Sequence, residues 1–409
     1  MTKLNVSNYI ILIKEKTSNM KKDLLEKVEM LKDEMLHISD YIFDNPEIGL
    51  KEYQASKILR DTLSKNGFQV ENNIGHVETA FKATYENGIG GPSIGILVEY
   101  DALEGIGHAC GHHMQGPIGI ATAITLKKFF KEKPYKIVIY GTPAEETVGG
   151  KLTMIKNGCF KDIDIALMTH GGPNTTTDVK SLALCKATVT FHGKSAHAAI
   201  KPEDGRSALD ALLLTFNAIE YLREHVPEDV KIHYTVLNGG GPANVIPNIA
   251  VGNFYLRSYS NSTLANCKER FMNILKGASL MTETSFEINI DKEIGGKIPV
   301  LKLNELVMKN AKKLNAPAIS PPREKTGSTD FGSVMQTIPG TCLRIAFVPE
   351  GTSSHSEEFI KAGKSKDAHE AIILASKILT GTIYDLITNK KLLEDIKSEF
   401  TDKKNSKKY

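Results

Sequence analysis

Cysteine is scarce. There are five, Cys110, Cys159, Cys185, Cys267 and Cys342, odd in number and scattered along 409 residues. That excludes a disulfide framework and points to a reducing compartment. Long apolar runs are scarce too. Tyr9-Ile10-Ile11-Leu12-Ile13 is too short for a signal sequence and runs directly into Lys14, and no other stretch reads as a membrane span. Charge excess is small, with a net +3, and no basic stretch with interleaved aromatics suggests a nucleic-acid surface. The basic end from Lys403 to Lys408 reads as a frayed, solvated tail. The expectation is a soluble cytoplasmic protein with no nucleic-acid or membrane partner. What is present is globular: 41% hydrophobic and 24% charged residues, in a chain long enough for two domains.

Apolar positions at helical spacing predict a helix from Lys21 to Phe43, stopped by Asp44-Asn45-Pro46, and a second from Tyr53 to Asn66 ahead of Gly67. Apolar runs at 94–98, 136–140 and 163–168 predict strands buried on both faces, alternating with helices at 118–130 and 149–157. That alternation implies a largely parallel sheet whose ligand sites lie beyond the carboxyl ends of its strands. From about Ser181 the pattern changes. Strands at 182–191, 231–237, 249–259 and 285–290, with helices at 207–226 and 263–280, give βαββαβ, the ferredoxin-like order. A helix at 301–314, a strand at 342–348 and a helix at 367–387 return to the first layer. The fold class is therefore α/β: a mixed, mostly parallel sheet with helices on both faces (1–184 and 294–409), and an inserted ferredoxin-like α+β domain (185–293).

Three polar clusters fall at predicted strand ends. Gly105-Ile106-Gly107-His108-Ala109-Cys110-Gly111-His112-His113 follows Asp101 and packs metal-ligand residue types between glycines. Read alone, it could also be a tight turn with a buried Cys and solvated His. Glu145-Glu146 in Gly141-Thr142-Pro143-Ala144-Glu145-Glu146 puts two carboxylates on a loop, where one could bind a metal while the other faces a substrate. Two solvated acids ahead of a helix are the bland alternative. His170 follows the third strand. Late in the chain, Ser353-Ser354-His355-Ser356-Glu357 adds a histidine that alone would read as exposed.

Read in order, five segments resemble metallopeptidase family twenty, the di-zinc exopeptidases and amidohydrolases. They are Asn45-Pro46-Glu47-Ile48-Gly49, Glu99-Tyr100-Asp101-Ala102-Leu103 with the histidine loop, 141–146, Gly193-Lys194-Ser195-Ala196-His197-Ala198-Ala199 and the His355 loop. The likeness spans nearly the whole chain. It is greatest to the branch with p-aminobenzoyl-glutamate hydrolase, indole-acyl-amino-acid hydrolases and β-alanyl-dipeptide dipeptidases. The resemblance implies two divalent ions per chain, zinc by default, with manganese or cobalt as alternatives. Cys110 would bridge them where many relatives use Asp, with His112 and His170 on one ion and Glu146 and His355 on the other. Asp101 would orient a ligand imidazole. Glu145 would be the general base acting on a metal-activated water.

The resemblance further makes the inserted domain a dimerisation or lid domain. From it His197 would reach the partner subunit's site and stabilise the oxyanion, while Asn244 and Arg257 would hold the substrate's carboxylate. His197 otherwise reads as a turn residue and Arg257 as an exposed strand residue. Two positions depart from the family pattern: His113, usually Asp or Asn, and Glu104, commonly Pro. The implied activity is hydrolysis of an amide or peptide bond in an N-acyl amino acid or dipeptide, by a homodimer. Two rivals remain at this point. One is a non-catalytic relative that binds amino-acid conjugates or regulates a partner. The other is a cysteine hydrolase with Cys110 as nucleophile, which leaves Glu145, Glu146, His170 and His355 unexplained.

Overall fold

A computed structural model describes residues 19–406. The Tyr9–Ile13 stretch and the end of the basic tail, Lys407 and Lys408, lie outside the described residues. The chain divides into two compact units. The first holds the chain up to Val179 with Pro299–Lys325 and Thr337–Asp402; the second holds Lys180–Ile298, Thr326–Gln336 and the end from Lys403.

The first unit is built on a seven-stranded sheet. Its strands are β1 (Gln69–Asn72), β2 (Phe81–Asn87), β3 (Ser93–Val98), β4 (Tyr135–Gly141), β5 (Ile165–Gly172), β6 (Thr176–Thr177) and, much later, β11 (Gly340–Ala346). Their order is β1-β2-β4-β3-β5-β11-β6. The four central strands β4, β3, β5 and β11 run parallel, and the flanking strands join them antiparallel. β3, β4 and β5 are buried almost throughout, which explains their unbroken Ile, Val and Leu runs. Helix Gln115–Phe129 packs against helix Lys366–Thr388 and is buried on every side over most of its length.

The second unit carries β7 (Ala183–His192), β8 (Lys231–Asn238), β9 (Ile249–Ser258) and β10 (Ser285–Ile294), all antiparallel, in the order β10-β7-β9-β8. β7 and β9 alternate buried and partly buried residues, so one face of the sheet meets the core with Val189, Phe191, Phe254 and Leu256. Helices Ala208–Arg223 and Asn261–Thr282 contribute Leu212, Ile219, Phe271 and Leu275 to that core. The βαββαβ order is present in full.

Several details differ from the sequence reading. The helix expected at Lys21–Phe43 tightens to a 3-10 turn at Val28–Leu31 before resuming at Lys32. His170 lies inside β5, two residues before its end, and not after the strand. β1 and β2 were not anticipated, because β1 is a four-residue polar edge and β2 alternates instead of running apolar. Helix Lys366–Thr388 is long and apolar enough to pass as a membrane span by composition, contrary to the expectation that no stretch would; most of it is buried inside the protein. The basic end is helical as far as Asn405, because Leu393, Ile396 and Phe400 form a buried stripe.

Candidate metal and catalytic site

The site is built at the carboxyl ends of β3, β4 and β5, which neighbour one another and point the same way. Beyond β3, the backbone at Gly111 turns left-handed (φ +78°), and a Cβ there would lie 3.3 Å from the Phe359 ring. This glycine lets Cys110 and His112, two residues apart, approach the same point. Beyond β4, Ala144 is also left-handed (φ +61°) just before Glu145 and Glu146. His355, a third such residue (φ +65°), donates its backbone N–H to the Ala109 carbonyl at 2.9 Å, which fixes its loop beside Cys110.

The structure brings all five expected ligands together, as two trios that share Cys110. In each trio, Cys110 with His112 and His170, and Cys110 with Glu146 and His355, the donor atoms lie within 4.8 Å of one another. Cys110 Sγ is 3.4 Å from His170 Nε2, and Glu146 Oε1 is 3.3 Å from His355 Nε2. Glu145 joins His112 and Glu146 in a third such group. Asp101 ties both trios together, since Oδ1 sits 3.1 Å from His112 Nδ1 while Oδ2 accepts the Glu146 backbone N–H at 3.0 Å. His355 remains 46% exposed, while Cys110, Glu146 and His170 are partly buried and His112 is buried.

The peptidase family M20/M25/M40 model matches residues 96–381, most of the chain. The chain belongs to this family. As an M20-family member it is a hydrolase. It is 29% identical to one of the subunits of p-aminobenzoyl-glutamate hydrolase from Escherichia coli, over 91% of this chain and 93% of that one. It is 30% identical to the Xaa-Arg dipeptidase of Homo sapiens, over 89% and 88%. Among solved structures, a putative aminohydrolase from methicillin-resistant Staphylococcus aureus matches with a TM-score of 0.77 at 20% identity, covering 90% of this chain and all of that one. A dinuclear metal binding peptidase of the M20 family from Bacillus subtilis matches with a TM-score of 0.68 at 17% identity, covering 88% and 99%. These two likenesses concern the fold.

The donor set of this M20-family site fits a pair of divalent metals. His112 has one ring nitrogen engaged by Asp101, and His170 has Nδ1 within 2.7 Å of the Gly171 carbonyl; each leaves Nε2 toward the cluster. His112 Nε2 and Glu146 Oε1 are buried and make no hydrogen bond among the described residues. Burial pushes the Cys110 thiol up to about 12, although His112 opposes this. Burial also disfavours a charged His112, but Cys110, Glu99 and Asp101 outweigh it and hold this imidazole well above its ordinary value. Such a cluster gathers negative charge that a bound cation would balance.

Sequence reasoning missed the layer beneath. Glu99 directly follows β3 and is fully buried, 3.2 Å from His112 Nε2, paired with the buried Lys151 and accepting from Gln115 Nε2 at 2.8 Å. An acid directly after an apolar strand was the available signal. Glu52 is likewise buried; it accepts the Ala144 backbone N–H at 2.8 Å and the Thr79 hydroxyl at 2.8 Å, and so holds the residue before Glu145. Gly49, in the Asn45–Gly49 motif, leaves the space taken by Thr147 and Ala144 of the same loop. His113 turns from the cluster to pack against Phe43 and sits 2.8 Å from the Gly363 carbonyl, and Glu104 is exposed.

Three expected site residues lie in the second unit. His197 and Asn244 are brought together there: His197 bridges to Val245, and Ala198 N–H donates to the Asn244 carbonyl at 3.0 Å. Both are exposed. Arg257 is not with them. It stands near the far end of β9 from Ile249, about 27 Å along the strand at the usual rise. Its buried Nε makes no hydrogen bond among the described residues.

Burial, helped by the charge of Asp101, raises Glu52 from 4.5 to about 7, although Thr79 opposes the shift. The folded state therefore holds this proton more tightly than the unfolded chain. Stability falls as pH rises between those two values, by about 3 kcal/mol for this one group, and the loss is complete above the folded pKa. Denaturant unfolding across this range is expected to show that slope in the wild type and its loss in Glu52→Gln. Equal slopes would contradict the assignment.

Proposed function

We propose that this M20-family chain hydrolyses the amide or peptide bond of an N-acyl amino acid or dipeptide next to a free carboxylate. The observation that carries this is the pair of ligand trios meeting at Cys110 with Glu145 beside them. The names of the relatives, a p-aminobenzoyl-glutamate hydrolase and an Xaa-Arg dipeptidase, support the same bond type.

Cys110, His112 and His170 would hold one divalent ion, and Cys110, Glu146 and His355 the other. Thiolate and imidazole favour zinc, with manganese or cobalt as alternatives. When bound, the ions acidify water and polarise a carbonyl. Glu145, partly buried at the mouth of the cluster, takes the proton of the attacking water and returns it to the leaving nitrogen. Asp101 orients His112 and, through the Glu146 backbone, the opposite trio. His197 donates to the oxyanion, and Asn244 and Arg257 hold the substrate carboxylate.

The placement of the second-unit residues supports a two-subunit site. His197 and Asn244 share one pair of loops, whereas Arg257 stands at the other end of β9. Contact of both groups with one small substrate is met most directly if the loops come from a partner copy, making the inserted unit (185–293 in the sequence reading) the dimerisation domain. A nucleophilic Cys110 would require its thiolate, and burial opposes that form in the absence of a cation. This favours Cys110 as a ligand.

Glu145→Gln is expected to lose about a hundredfold or more in turnover while keeping its metal. Undiminished turnover reassigns the base, and loss of metal together with activity exchanges the roles of Glu145 and Glu146. For the shared site, Glu145→Gln subunits mixed with His197→Ala subunits should regain activity, because one site of the hybrid then holds both intact residues. Verified hybrids no more active than their parents would place His197 in its own chain's chemistry or in none.

A further inference from the structure

Arg344 has no part in the machinery described above, yet it stands beside it. On β11 it is the register partner of His170 on β5, so the two side chains leave the same face of the sheet. Its guanidinium extends over Gly172, where a Cβ would come within 3.3 Å of Nε. Its one hydrogen bond among the described residues is a long one, Nη2 donating to the Gly171 carbonyl at 3.3 Å. The same carbonyl lies 2.7 Å from His170 Nδ1.

No carboxylate of the described residues pairs with Arg344. The acid nearest to that role, Asp178, is taken by Arg323, which donates from Nε at 3.0 Å and from Nη2 at 2.6 Å. Asp178 thus serves Arg323 and leaves the Arg344 guanidinium without a carboxylate among the described residues. Burial first, and then the charge of Arg323, disfavours the charged Arg344, which is a costly arrangement for a residue with only structural duties. Arg344 is nevertheless only partly buried, so a ligand can reach it. A planar fork of five N–H donors with one weak acceptor is suited to gripping a carboxylate in bidentate fashion.

We propose that Arg344 recognises a second carboxylate on the substrate, so that the preferred substrates are dianionic: acyl amino acids or dipeptides with an acidic group beyond the terminal carboxylate assigned to Arg257. This rests on the amide-hydrolase reading. It is a specificity role, and the reacting atoms do not need it.

The test compares kcat/KM for two matched pairs on the metal-loaded enzyme. N-acetylglutamate against N-acetylglutamine places the second carboxylate on the amine side, and N-succinyl-alanine against N-butyryl-alanine places it on the acyl side. In at least one pair the wild type should favour the acidic member by roughly thirtyfold or more. Arg344→Met should bring that ratio close to one, and Arg344→Lys should leave it intermediate. A wild-type ratio near one in both pairs overturns the proposal. So does an equal loss on both members of a pair, which would mean that Arg344 only supports His170 or the strand. If the protein hydrolyses no amide, the proposed function fails separately, and calorimetry decides for Arg344. Glutarate should then bind the wild type at least tenfold more tightly than Arg344→Met, whereas equal binding, or none to the wild type, overturns the assignment.

Discussion

A thiol, three imidazoles and a carboxylate within a few ångströms of one another are an unstable combination for a protein to hold without a cation. Burial resists ionisation of Cys110, while the acids around His112 favour its charged form. His112 Nε2 and Glu146 Oε1, 4.0 Å apart, make no hydrogen bond among the described residues. Much of the first unit serves that arrangement. Three parallel strands end side by side, Gly111 turns the chain between Cys110 and His112, and Asp101 joins one imidazole to the backbone of the opposite carboxylate. The layer beneath continues the pattern, with Glu99 held by Lys151 and Glu52 holding Ala144. Such supporting contacts fix the position of groups that would otherwise repel or drift.

What could be read from the sequence follows from how local each signal is. Unbroken apolar runs marked β3, β4 and β5 because those strands are covered on both faces, and the change to alternation marked the second sheet. The clustered candidate ligands were legible because histidine and cysteine between glycines are rare near strand ends, and the family likeness ordered them. Glu99, Glu52 and Arg344 were not legible in the same way. Each is an ordinary residue type whose setting arises from groups far away in the chain: Lys151 for Glu99, Thr79 and Ala144 for Glu52, and His170 and the Gly171 carbonyl for Arg344. The terminal helix escaped notice because three buried residues, Leu393, Ile396 and Phe400, are diluted among lysines and acids.

The second unit presents polar groups of a different kind. Its loops present His197 and Asn244 to solvent from one end of an antiparallel sheet, and its strand β9 carries Arg257 away from them. Exposed polar groups on paired loops have little structural work to do, and their value lies in what approaches them. In the proposed reading this is the substrate and the catalytic unit of a second copy. In the same reading, Arg257 and Arg344 as separate cations would make substrate selection depend on charge at two points, apart from the metal cluster, Glu145 and His197 that act on the bond.

The central claim is that the five clustered side chains are metal ligands with Cys110 as a shared thiolate. A titration of metal-free protein with zinc, followed by proton release and by the reactivity of Cys110 toward a thiol reagent, tests it most directly. Because the partly buried thiol must give up its proton to bind, the account predicts about two ions bound per chain, protons released as they bind, and protection of Cys110 that is lost when the metal is chelated. Saturating zinc that neither binds at the cluster nor changes the reactivity of Cys110 would contradict it.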